Sequence, residues 1–141
     1  MFFQHIIHNE VLKISLTSWF IAQLLKVIIT LAKEKRIDLY RLVGSGGMPS
    51  SHSALVMGLS TTIGLKNGWP SEEYAISLIF ALIVMYDASG VRRAVGKQAI
   101  ILNKLIKDWQ EPRQIKEQQL KELIGHTPIE VFVGAIIGIL I

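Results

Sequence analysis

Cysteine is absent from the 141 residues, so disulfide staples and thiolate chemistry are both excluded. Charge is scarce as well: 18% of the residues are Asp, Glu, Lys or Arg, against 50% that are apolar. A continuous basic stripe interleaved with aromatics is missing, which argues against nucleic acid as a partner. No signal peptide stands out, because no small-residue cleavage site follows the first apolar segment. What is left is an apolar chain of one-domain length, with a mean hydropathy of +0.41 that is high for a soluble domain.

The charges that do occur are clustered. Of 15 Lys and Arg, four lie between Lys33 and Arg41 and eight between Arg92 and Lys121. Long apolar segments lie between the clusters, near 11–32, 53–68, 73–91 and 128–141. At about 1.5 Å per residue, the first can cross a hydrocarbon core of about 30 Å. The last is short and must tilt, thin the bilayer or pack inside a bundle. Lys26, within the first segment, either snorkels or faces a polar interior. Residues 92–124 read differently. Val95, Ala99, Leu102, Leu105, Ile106 and Trp109 recur at helical spacing with lysines on the other face, as in a helix lying on an anionic membrane surface. Glu111-Pro112 breaks that helix, and a second, polar one is expected up to Gly125. The expectation is therefore an all-α, integral membrane helical bundle. It forms one membrane domain over 1–141, with about four spans and a cytoplasmic amphipathic helix.

Three short stretches carry residues capable of chemistry. Gly44-Ser45-Gly46-Gly47-Met48-Pro49-Ser50-Ser51-His52-Ser53 is a glycine-rich turn leading into a helix. Glycines admit a ligand close to the backbone, and free N–H groups at a helix start favour phosphate. The plainer alternative is a capping loop, with Ser50 or Ser51 as N-cap. Asp87-Ala88-Ser89-Gly90-Val91-Arg92-Arg93 ends an apolar segment. Asp87 can pair with Arg92 or Arg93, or the arginines can clamp phosphate. Gly125-His126-Thr127-Pro128-Ile129-Glu130 opens the last segment, with Thr127 as a cap and Pro128 in the first turn. His126 and Glu130, four apart, share a face if one helix holds both, and Glu130 can then orient the imidazole. His5 and His8, three apart, have no third ligand nearby and read as a polar helix start, so no metal site is expected.

Four spans place both basic loops on one side, and the positive-inside rule makes that side cytoplasmic, with both termini outside. Arg41, His52, Asp87, Arg92, Arg93 and His126 then meet at one membrane face. Two histidines, a carboxylate and several cations suit phosphoryl transfer. One His attacks, the other protonates the leaving group, and the cations hold the charge.

These residues also carry a resemblance. Pro49-Ser50-Ser51-His52-Ser53 resembles the Pro-Ser-Gly-His motif of the type 2 phosphatidic acid phosphatases, whose superfamily includes the vanadium-dependent haloperoxidases. His126-x3-Glu130 resembles its third motif, His-x3-Asp. From about Ser18 onward the chain is more closely similar to the small divergent membrane branch, described as acid phosphatase/vanadium-dependent haloperoxidase-related. The stretch from Gly46 to Ala54, the stretch from Tyr86 to Arg93 with Gly96 and Gln98, and Gly125-His126-Thr127-Pro128 carry that likeness.

The resemblance implies His126 as the nucleophile that becomes phosphohistidine, Glu130 as its orienting partner and His52 as the general acid. Ser51, with Ser50, Gly47 and nearby backbone amides, would hold phosphate. The cations are expected from Lys35, Arg41, Arg92 and Arg93, with Asp87 behind them. Five residues separate Lys35 from Arg41 where the superfamily's first motif has six, Leu42 replaces its Pro, and Leu120 stands where the third motif has Arg.

Two functions follow from these readings. One is a cell-membrane phosphatase acting on a lipid-linked phosphate or pyrophosphate, without a cofactor and with vanadate only as a phosphate mimic. The other is a non-catalytic membrane protein that binds or moves an anionic lipid. Haloperoxidase chemistry fits so small a membrane chain poorly. A Ser51–His52 hydrolase fits less well still, since neighbours on a helix point apart. Four spans enclose little space, which makes a homodimer a reasonable expectation.

Overall fold

A computed structural model describes residues 8–35, 47–109 and 125–141. Among them are five helices and no strand: α1 (Glu10–Glu34), α2 (Ser51–Asn67), α3 (Glu72–Ser89), α4 (Val91–Trp109) and α5 (Pro128–Leu140). The all-helical bundle expected from the sequence is thus present. The polar helix expected near 112–123, the Glu111-Pro112 break, Arg41 and His5 lie outside the described residues, and His8 is exposed.

Local chemistry sets the helix ends. Asn9 Oδ1 accepts from the Leu12 N–H (3.1 Å) and Ser71 Oγ from the Tyr74 N–H (3.2 Å), satisfying amides that a helix start leaves without partners. Lys35 adopts a left-handed conformation and returns its N–H to the Leu31 carbonyl, closing α1. Gly90 separates α3 from the amphipathic α4.

The bundle is polar within and apolar without. On α1, Leu12, Leu16, Phe20, Leu24, Ile28 and Leu31 form an exposed stripe, while Ser15, Ser18, Ala22, Gln23 and Lys26 turn inward. Helix α3 exposes Ile76, Ile79, Phe80, Leu82 and Ile83 and buries Ser77 and Ala81. On α5, Phe132, Ile136 and Ile139 face out while Gly134 and Gly138 face in. Water would oppose this arrangement; a hydrocarbon surround favours it, since exposed apolar area then costs nothing and small residues let helices approach. By length and composition, α1 and the helical stretch beginning with α3 can cross a membrane, whereas α5 is shorter.

Helix α2 lies at the centre, against α1, α3 and α5. Its neighbours approach through glycine. A side chain at Gly58 would meet Ser18 Oγ at 2.6 Å, one at Gly138 would run into the Ala54 carbonyl, and one at Gly134 into the Ser50 carbonyl. Interior hydroxyls return their protons to the helix backbone, as Ser18 does to Ile14 (2.9 Å) and Thr62 to Gly58 (2.7 Å). Ser77 and Ser60 Oγ link α3 to α2 at 3.3 Å. Lys66 and Glu10 pair at 2.6 Å, so α1 runs antiparallel to α2. Helix α5 runs parallel to α2, because Gly134 meets Ser50 and Gly138 meets Ala54. The ends of α1 and α3 and the starts of α2 and α5 therefore gather at one end of the bundle.

Candidate functional site

At that end, backbone hydrogen bonds fix three segments to one another. The Ser50 N–H donates to the Glu130 carbonyl at 2.9 Å, joining the start of α2 to that of α5. The His126 N–H donates to the Ala88 carbonyl at 2.9 Å, joining the approach to α5 to the end of α3. Gly125 lies flat against the backbone of Arg92 and Arg93, where any side chain would collide. These contacts bring His52 and His126, 74 positions apart, to a ring-centroid distance of 6.3 Å with the planes at 60°.

Among the described residues, the His126 ring has one side-chain hydrogen-bond partner. It is 2% exposed, and its Nδ1 lies 3.1 Å from Glu130 Oε2. The same oxygen accepts from the Thr127 N–H at 3.1 Å, while Thr127 Oγ1 accepts from the Glu130 N–H at 3.3 Å. This reciprocal capping box fixes the Glu130 rotamer before His126 uses it. The carboxylate assigns the proton to Nδ1, which leaves the lone pair on Nε2. Nε2 is buried and has no hydrogen-bond partner among the described residues.

Burial is the main influence on the His126 pKa and pushes it below the usual value. Glu130, by hydrogen bond and by charge, and the Gly47 backbone act in the opposite direction, and the buried Lys26 adds to the lowering. The net effect keeps the ring neutral at pH 7, and the Nε2 lone pair available. Glu130→Gln retains the cap geometry but removes the charge that raises the pKa. The acid limb of any reaction that needs neutral His126 lies below the ordinary imidazole range in the wild type and moves lower still in Glu130→Gln. A proton-NMR titration of the imidazole checks this. A limb that moves up in the variant contradicts the assigned role of Glu130.

A cleft of about 200 Å³ opens beside His126, lined by Gly47, Arg93, Gly96, Lys97, Ile100, Gly125, Thr127 and Glu130. Of the residues singled out in the sequence, Gly47, Arg93, His126 and Glu130 meet at this cleft, and His52 stands half-buried across from His126. Arg92 does not line it; its Nε donates to Asp87 Oδ2 at 2.7 Å, the ion pair that the sequence left open. Ser50 Oγ caps α2, accepting from the Ser53 N–H (3.3 Å) and the Ser53 hydroxyl (3.0 Å). Ser51 is buried next to it, and Lys35 is exposed at the end of α1. Lys26 is 1% exposed and close enough for its charge to act on both histidines. Among the described residues no three His, Asp or Glu side chains gather as a metal ion requires.

Lys97 is a functional candidate that the motifs do not mark, and Gly96, which they mark only as part of the resemblance, also lines the cleft. Lys97 was absorbed into the polar face of the amphipathic helix. The available signal was its spacing of four from Arg93, which puts both on one side of α4.

A model of the divergent PAP2 family matches residues 7–141. The chain is 44% identical over 138 residues to the uncharacterized membrane protein YuiD of Bacillus subtilis (strain 168), covering 90% of this chain and 87% of the relative. No solved structure matches.

Proposed function

The chain belongs to the divergent PAP2 family, and from that premise we propose that it is a phosphatase of the cell membrane. It hydrolyses a lipid-linked phosphate or pyrophosphate through a phosphohistidine. The observation that carries this reading is the state of His126: Nδ1 tied to a carboxylate, Nε2 buried and without a hydrogen-bond partner among the described residues, and a second imidazole 6.3 Å away.

The chemistry runs in two displacements. His126 Nε2 attacks phosphorus, the bond from phosphorus to the leaving oxygen breaks, and His52 supplies the proton that this oxygen takes up. Nδ1–H stays on Glu130, which offsets the positive charge developing on the ring. Water then attacks the phosphohistidine, its proton passes to His52, and the P–N bond breaks to return Nε2. The excess of Lys and Arg at this end of the bundle supports a cytoplasmic position for the site.

The reading is tested by incubating purified protein in mixed micelles with phosphatidic acid and with a polyprenyl diphosphate, without added metal. Release of inorganic phosphate from one of them that is lost in His52→Asn is expected. Release unaffected by that change would remove His52 from the mechanism.

The second reading, binding or moving an anionic lipid without turnover, is favoured by one observation: basic, amphipathic α4 forms a wall of the cleft. Lipid binding that survives loss of both histidines, with no phosphate released, separates the two.

A further inference from the structure

The cations that phosphoryl chemistry needs are not where the superfamily motifs put them, yet two cations line the cleft. Arg93 and Lys97 stand one turn apart on α4, both exposed, with Gly96 buried between them. Among the described residues neither has an ion-pair partner, whereas adjacent Arg92 is held by Asp87. Gly125, without a side chain, admits the backbone of Arg93 to the approach of α5, so the pair is set beside His126 by packing. The buried Nε2 of His126, without a hydrogen-bond partner among the described residues, belongs to the same lining. Glu130, the carboxylate of this wall, is occupied by Nδ1 of His126 and the Thr127 N–H. Among the described residues, two cations facing one occupied carboxylate leave the positive charge of the cleft uncompensated.

We infer that Arg93 and Lys97 form the phosphate clamp of this site, and that its ligand is the terminal phosphate of an amphiphile whose tail runs past Ile100. A phosphomonoester near pH 7 carries nearly two negative charges, which matches two cations, and the guanidinium can grip two oxygens at once. Ile100 lines the cleft one turn beyond Gly96, and Ile101 and Leu105 continue an exposed apolar path along α4. A tail leaving by that path enters the bilayer surface on which such a helix rests. The inference rests on the phosphatase reading for its phosphoryl chemistry, but the clamp itself needs only binding.

The full chain in detergent micelles is titrated with inorganic phosphate by calorimetry. Arg93→Gln and Lys97→Gln are each expected to weaken binding about tenfold, and the double variant about 100-fold. Lys104→Gln, on the same helix but outside the cleft, stays within about twofold. Unchanged binding in the double variant overturns the clamp, as does an equal loss in Lys104→Gln, which would reveal general charge attraction. Titration with lysophosphatidic acid and with glycerol 3-phosphate separates the sources of phosphate. At least about tenfold tighter binding of the lipid is expected, and equal or tighter binding of glycerol 3-phosphate overturns the lipid assignment. Phosphate binding that is lost in the double variant, together with no turnover of any substrate by the wild type, leaves the clamp standing and removes the phosphatase reading. Full turnover in the double variant does the reverse.

Discussion

His126→Asn is expected to lower phosphate release from a lipid phosphate by at least about 10³-fold while leaving the helix content unchanged. The size follows from the role. His126 supplies the bond-forming lone pair; Glu130 is engaged by two donors, and His52 is across the site. His52→Asn removes a proton donor, for which about 10²- to 10⁴-fold is the usual range. The two losses do not add, because both residues serve one displacement, and the double variant should fall about as far as His126→Asn alone. Release in His126→Asn within tenfold of wild type would leave the phosphohistidine step without support. Activity is read as inorganic phosphate released, and folding by far-ultraviolet circular dichroism.

Gly134→Leu is expected to disturb the fold most. Even a methyl group at Gly134 would overlap the Ser50 carbonyl and press on Ser53 Cβ at 3.1 Å. The Ser50 carbonyl belongs to the N-cap of α2, and the Ser50 N–H holds the Glu130 carbonyl at 2.9 Å. Backbone cannot swing aside as a flexible side chain does, so α5 must move off α2. Overpacking commonly costs about 1–3 kcal/mol, and a backbone clash falls at or beyond the upper end. Glu130 and His126 travel with α5, so activity is lost together with stability. Ile136→Ala, on the outward face of the same helix, should leave thermal unfolding in detergent nearly unchanged. A Gly134→Leu protein that melts with the wild type would show that α5 does not pack on α2 through glycine.

Both predictions bear on how much the sequence could say. The helices were legible because four apolar runs and one amphipathic run each carry their own period and end signals. Which side of each helix faces inward was less so. Hydropathy ranks Leu16 and Phe20 as core, yet they form the outer stripe, and Ser18, Ala22 and Lys26 line the interior. In hydrocarbon the usual inside-out sorting no longer applies, so the position of Lys26 became clear only with its neighbours present. Ala54, Gly58, Ser60 and Gly64 put small residues along α2, but Gly134 and Gly138 sit in a run so apolar that their contact with α2 leaves no signal in the pattern.

The site divides the same way. The four-residue spacing of His126 and Glu130 was readable, and the structure joins them by a hydrogen bond of 3.1 Å. The pairing of His52 with His126 needed a topology argument, since 74 positions separate them. Ser50 was open between cap and phosphate ligand, and its hydroxyl caps α2. Arg92 and Arg93 could not be told apart as adjacent letters. A helix turns neighbours about 100° from each other, which sends one to Asp87 and the other to the cleft. Lys97 was hidden by its company, one lysine among several on a polar face, until the loop at Gly125 was seen against α4.

The measurement that tests the central claim most directly is an experimental structure of the full chain with orthovanadate, a mimic of the phosphoryl group in transfer. Vanadium is expected bonded to His126 Nε2, its oxygens reached by Arg93 and Lys97, and His52 facing the position of the leaving oxygen. Vanadate bound elsewhere, or a site beside His126 that stays empty at millimolar vanadate, would contradict it.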